Sequence, residues 1–150
     1  MTESGAIVQF VRVLCVSLVL IASAPALAAD QAKPAEPPAV YISVAGAPGD
    51  GEQALAAALG RRLEALGVSQ ATAFESDVYE VQGTVRMSPA SRGKEVVTII
   101  WVVLAPDGNQ LGVTRQTKEV KKGSLDKRWG AAADAAASAA ASDIAQLLPH

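Results

Sequence analysis

Read for the spacing of its apolar residues, the chain breaks into four stretches with the period of a strand and two with the period of a helix. Residues 40–44 combine β-branched and aromatic side chains with alternation, and the turn residues Gly46, Ala47, Pro48 and Gly49 follow them. Asp50, with Gln53 three residues on, is a candidate helix cap; Leu55, Leu59, Leu63 and Leu66 then share one helical face, and Gly67 is a stop signal. Tyr79, Val81, Gly83, Val85 and Met87 alternate with Glu80, Gln82, Thr84 and Arg86, which predicts a strand with one apolar and one polar face. Residues 94–104 differ: Val97, Ile99, Trp101 and Val103 fall on one side and Val96, Ile100, Val102 and Leu104 on the other, so both faces are apolar. The turn Pro106, Asp107, Gly108, Asn109 leads into a more polar fourth strand over residues 110–120.

A last helix is expected from about Ser124, with Leu125, Trp129, Ala133, Ala136, Ala140, Ile144 and Leu147 at helical spacing. Alanine in the middle of that stripe lets the helix axis lie close to a neighbour. The order strand, helix, three strands, helix predicts an α+β two-layer sandwich, a four-stranded mixed sheet with two helices on one face.

The segment before the first strand reads as export and tether. Arg12 precedes an apolar run over residues 13–24, Pro25 breaks it, and Ala26, Leu27 and Ala28 form a small-x-small site, so residues 1–28 are expected to be a signal peptide cleaved after Ala28. An uncleaved leader acting as an anchor is the alternative, although Arg12 shortens the apolar run below a full span. Residues 29–39, with Pro34, Pro37 and Pro38, have the composition of an extended linker, leaving residues 40–150 as one domain. The single cysteine, Cys15, lies inside the leader without the small residue that a lipoprotein signal places beside it, so the domain itself has no thiol for a disulfide, a nucleophile or a metal. The expected compartment is the periplasm.

Composition narrows the functional classes. Thirteen Lys and Arg against fifteen Asp and Glu give a net charge of -2, which supplies no field to attract nucleic acid. The one histidine, His150, follows Pro149 at the end of the sequence and has no base, nucleophile or second ligand beside it in the pattern. Glu75, Asp77 and Glu80 lack the spacing of a calcium loop, and the glycines between Gly46 and Gly51 lack the Lys-Ser/Thr pair of a phosphate loop. No catalytic, cofactor or metal site is expected, and the reading is of a non-enzymatic protein; an enzyme using these carboxylates alone is the remote alternative.

Two features point to contact instead. Thr98, Ile100, Trp101 and Val102 lie on the two-faced third strand, and two helices cover only one side of a sheet. Arg115, Lys118, Lys121, Lys122, Lys127 and Arg128 form the one local charge excess, diluted by Glu119 and Asp126. Together these ten residues are the candidate partner surface, for an envelope protein, an anionic envelope polymer or lipid, or a second copy in a homodimer.

Residues 76–85, with Asp77, Tyr79, Val81, Gly83, Thr84 and Val85, resemble a strand of small bacterial envelope domains, including the amino-terminal domain of TolB, the curli-secretion lipoprotein CsgG and penicillin-binding-protein activators. The order of elements is also similar to that of the lipopolysaccharide-assembly lipoprotein LptE. The resemblance implies a non-enzymatic accessory domain that binds other envelope components. Those lipoproteins carry an acylated cysteine after the leader, which this chain lacks.

Overall fold

The computed structural model describes residues 36–150; the expected leader and the linker up to residue 35 lie outside the described residues. The elements are β1 (Ala39–Ala45), α1 (Gly51–Ala65), β2 (Ser69–Gln70), β3 (Tyr79–Pro89), β4 (Lys94–Leu104), β5 (Gln110–Lys121) and α2 (Gly130–Leu147). They make the expected α+β arrangement with one strand more, a five-stranded sheet in the order β2-β1-β3-β4-β5. The extra strand is two residues long and pairs parallel to β1, Ala39 with Ser69 and Val40 with Gln70. Two residues are too few to show alternation, which is why the pattern predicted four strands.

β1 and β3 are parallel, with α1 in the connection between them, and β3, β4 and β5 form an antiparallel meander. Both helices contact the sheet, α1 through β1 and α2 through β5 and β4, and they also pack on each other. The core is the side of β4 that carries Val97, Ile99, Trp101 and Val103, closed from above by Leu55, Leu59 and Leu63 of α1 and by Ala133, Ala137, Ala140 and Ile144 of α2. Trp101 is fully buried, and its Nε1 has no hydrogen-bond partner among the described residues. A buried donor without a partner costs about 1–3 kcal/mol, against which the packing of the large ring works.

Three local expectations change. Leu66 caps α1 beyond its last turn and is 51% exposed, so the apolar face of α1 ends at Leu63. α2 begins at Gly130 rather than near Ser124; Leu125 and Trp129 are buried all the same, from the loop before the helix. Asp50 makes no side-chain cap to α1. Its carboxylate Oδ1 instead accepts the backbone N–H of Trp129 at 2.8 Å, while its own N–H donates to the Lys127 carbonyl at 3.0 Å.

Candidate functional site

Strand alternation divides the candidate surface in two. On the side away from the helices, β4 presents Val96, Thr98, Ile100, Val102 and Leu104, all half-buried in the described chain. β3 places Gln82, Thr84 and Arg86 beside them, and β5 places Val113, Arg115 and Thr117. Thr98, Ile100 and Val102 are thus on the open face. Trp101 is not: it has the opposite phase, points under the helices and is removed from the surface set.

The open face carries an apolar row that the sequence pattern understated. Val102 pairs with Val113, which is 49% exposed; Leu111, 38% exposed, is the residue skipped where the β4–β5 register shifts. Val113 alternates with Leu111 and Arg115 in the sequence, a signal masked by the glycine and threonine between them. On β1 the face continues through Tyr41 and Ser43; the ring of Phe74 meets Tyr41 edge-on with centroids 6.2 Å apart, so the loop before β3 covers part of that end, while among the described residues no helix lies over the β4–β5 end.

The basic residues do not form one patch. Arg115 lies on the open face opposite Ile100, whereas Lys118 lies on the helix-covered side opposite Val97. Lys121 stands across from Lys94, whose ammonium pairs with Glu119. Lys122, Lys127 and Arg128 are exposed in the connection to α2. That connection is fixed by the backbone: Gly123 N–H donates to Glu95 Oε1 at 3.1 Å and Lys122 N–H to the Gly93 carbonyl at 3.0 Å.

Lys118 borders an apolar groove of about 300 Å³ between α2 and the sheet edge at β5. Ala132, Ala135, Ala136 and Ala139 form its helix wall, with Val97 and Ile99 behind. The groove exists because alanine is too short to fill the space between helix and strand. Gln116 Nε2, the side-chain amide in the strand wall, donates to the Ala136 carbonyl at 3.0 Å and ties the two walls together.

The glycine-rich turn after β1 has a structural task. Trp129 Nε1 donates to the Pro48 carbonyl at 2.9 Å, and a Cβ on Gly51 would fall 2.4 Å from that nitrogen. Gly49, at φ +62°, would place a Cβ 2.5 Å from the Lys127 carbonyl. The turn therefore receives the chain at the start of α2.

The other candidates for chemistry are dispersed. Glu80 is on the open face, accepting the Ser43 hydroxyl at 3.3 Å. Glu75 is exposed in the preceding loop, and Asp77 borders a wide depression of about 760 Å³ at the starts of β1 and β3. His150, exposed, lies on the rim of the same depression with Tyr79 and Leu148. Among the described residues, no group of three His, Cys, Asp or Glu side chains is placed to hold a metal ion.

No protein-family model matches the chain, and no curated protein matches it. Solved structures are similar to it, and the first of those that follow shares its fold. A dodecameric PelC point variant from Paraburkholderia phytofirmans superposes with a TM-score of 0.52 at 15% identity, over 75% of this chain and 90% of that one. An uncharacterised protein gives 0.49 at 15% identity over 73% and 90% of the two chains. A minor lipoprotein from Acinetobacter baumannii gives 0.44 at 13% identity over 72% and 92%. The similarity to the PelC subunit extends over 90% of that chain and is one of fold.

Proposed function

We propose that this is an exported, non-enzymatic accessory domain of the bacterial envelope that works by binding, through the open face of its sheet. The observation that carries the reading is the row Val96, Ile100, Val102, Leu104 and Val113, presented on the face that neither helix covers. Aliphatic rows of this kind on a rigid sheet mark contact surfaces, because burying them gains on the order of 25 cal/mol per Å². Export is supported by the leader pattern at residues 1–28, and the envelope by the resemblance of residues 76–85 to accessory domains there. The proposed compartment is the periplasm.

The test is in-cell crosslinking from a photoreactive residue at Thr98, whose side chain is on the open face. Capture of one envelope component supports the reading. Absence of any crosslinked species from the open face overturns it.

A second reading, self-association, is favoured by the shared fold with a subunit of a dodecamer. In that case the same crosslink captures a second copy, and light scattering of the purified protein gives a mass well above that of one chain.

A further inference from the structure

We propose that β5 pairs, edge to edge and antiparallel, with β5 of a second copy of this chain, about a two-fold axis at Thr117. The proposal rests on the self-association reading above and gives it a seam, which is the rim of the sheet and not its open face.

The edge is free, and its hydrogen-bonding phase can be worked out. β5 is an outer strand of 12 residues, while the other outer strand, β2, has 2. Lys122 N–H donates to the Gly93 carbonyl at 3.0 Å, one step along the β4–β5 register from the Lys94–Lys121 pair. Bonded and unbonded pairs alternate in an antiparallel ladder, so the even-numbered residues of β5 turn their backbone groups to β4 and the odd-numbered ones turn theirs outward. The phase on the far side of β4 agrees. Ala90 N–H donates to the Lys94 carbonyl at 3.0 Å, which turns the even residues of β4 to β3 and leaves the odd ones for β5. Val113, Arg115, Thr117 and Glu119 are all exposed, and their outward backbone groups have no partner among the described residues. Such a row is a template for another strand. On the helix side, the short side chains of Ala132, Ala135 and Ala139 leave a groove beside the edge, so α2 leaves room for a neighbour there.

The side chains select the partner. Outward groups must meet outward groups, so β5 can pair with itself only in registers centred on a residue, not between two. Centred on Thr117, the pairing sets Arg115 of each copy opposite Glu119 of the other, Val113 opposite Lys121 and Gln116 opposite Lys118, with no like charges opposed. Centring on Lys118 sets Lys118 against itself and Arg115 against Lys121; centring on Arg115 sets that residue against itself; centring on Gln116 leaves no pair of opposite charge. Opposite charges across strands stabilise a pair and like charges destabilise it. Arg115 and Glu119 project from the same side, over Ile100 and Val96 of β4. Arg115 makes no ion pair among the described residues, and Lys94 engages Oε1 of Glu119, which leaves the second carboxylate oxygen for the partner's Arg115. Charges on an edge ordinarily turn other strands away. Here the strand that satisfies them is β5 itself.

The test is sedimentation equilibrium of the full chain, purified from an exporting bacterial host, over a range of concentrations. The expected result is a mass of two chains at high concentration. Arg115→Glu and Glu119→Arg each set like charges against one another twice, and each is expected to raise the dimer Kd by about tenfold or more. Mixing those two variants restores both opposite-charge pairs and is expected to return the two-chain mass. Thr117→Pro removes an outward N–H, leaves the β4 ladder whole, and is expected to abolish the dimer. Circular dichroism and the urea midpoint establish that each variant folds. A mass of one chain at every concentration would overturn both the seam and the self-association reading. A larger mass indifferent to Thr117→Pro, or single variants whose mixture does not recover the dimer, would overturn the seam alone.

Discussion

The indole of Trp101 on β4 fills the space that its cross-strand partner on β3, Gly83, leaves by having no side chain: a Cβ on Gly83 would fall 2.5 Å from Trp101 Cζ3. The largest buried side chain of the domain is therefore admitted by a glycine in the middle of a strand, where glycine is otherwise costly. Gly83→Ala is expected to destabilise the domain by about 1–3 kcal/mol through overpacking, although alanine favours a strand more than glycine does. A urea titration should show a lower midpoint with an unchanged slope. Trp101→Phe in the Gly83→Ala background should recover part of the loss, and a double-mutant cycle measures that coupling.

The same chemical change at two places on α1 should have opposite signs. At Gly60 a Cβ would meet the end of the Gln70 side chain, which is exposed and free to swing away, so Gly60→Ala should stabilise by up to about 1 kcal/mol through lower backbone entropy in the unfolded chain. At Gly51 a Cβ would meet the Trp129 indole and the Ala47 methyl at 2.4–2.7 Å, all of them packed, so Gly51→Ala should cost about 1–3 kcal/mol. Melting temperatures of the two variants, compared side by side, decide this.

Asp50 is expected to matter through α2 rather than α1. Asp50→Ala removes the acceptor of the Trp129 N–H and should cost about 1–3 kcal/mol, whereas Asp50→Asn keeps a carbonyl oxygen there and should lose less. Hydrogen exchange provides the local readout: the amides at the start of α2 should lose protection in Asp50→Ala before those of α1 do.

Surface and core on β4 and β5 should separate cleanly. Val113→Glu alters an exposed position, so stability should stay within about 0.5 kcal/mol while crosslinking from Thr98 falls sharply. Trp101→Glu, one pleat away, places a charge in the core and should cost on the order of 4 kcal/mol or more, so its loss of function would report unfolding rather than a lost partner.

The elements with strong periodicity were legible from the sequence, and the errors fall where periodicity is not the controlling term. The two-faced pattern of residues 94–104 correctly announced a strand with a covered and an uncovered side, but period two alone does not say which side the helices take; the space at Gly83 beneath Trp101 decides that. Leu125 and Trp129 continue the apolar stripe of α2 in sequence, yet they are buried from a loop because the Asp50 and Pro48 contacts hold the chain there instead of a helical turn. The basic residues looked like one patch because they are near in sequence, and the pleat of β5 sends Arg115 and Lys118 to opposite sides. The α2 groove left no signal at all, since a run of alanines reads the same whether the helix is pressed against its neighbour or stands away from it.

The link between the start of α2 and the β1–α1 turn also constrains when the domain can become complete. Trp129 bonds partners 79 and 81 residues upstream, so the β1–α1 turn gains its lock only after β3, β4, β5 and the connection to α2 have all been synthesised. Contacts of such sequence separation form late and slowly. Within the export reading proposed above, the β1–α1 turn is therefore locked only when nearly the whole chain is available to fold.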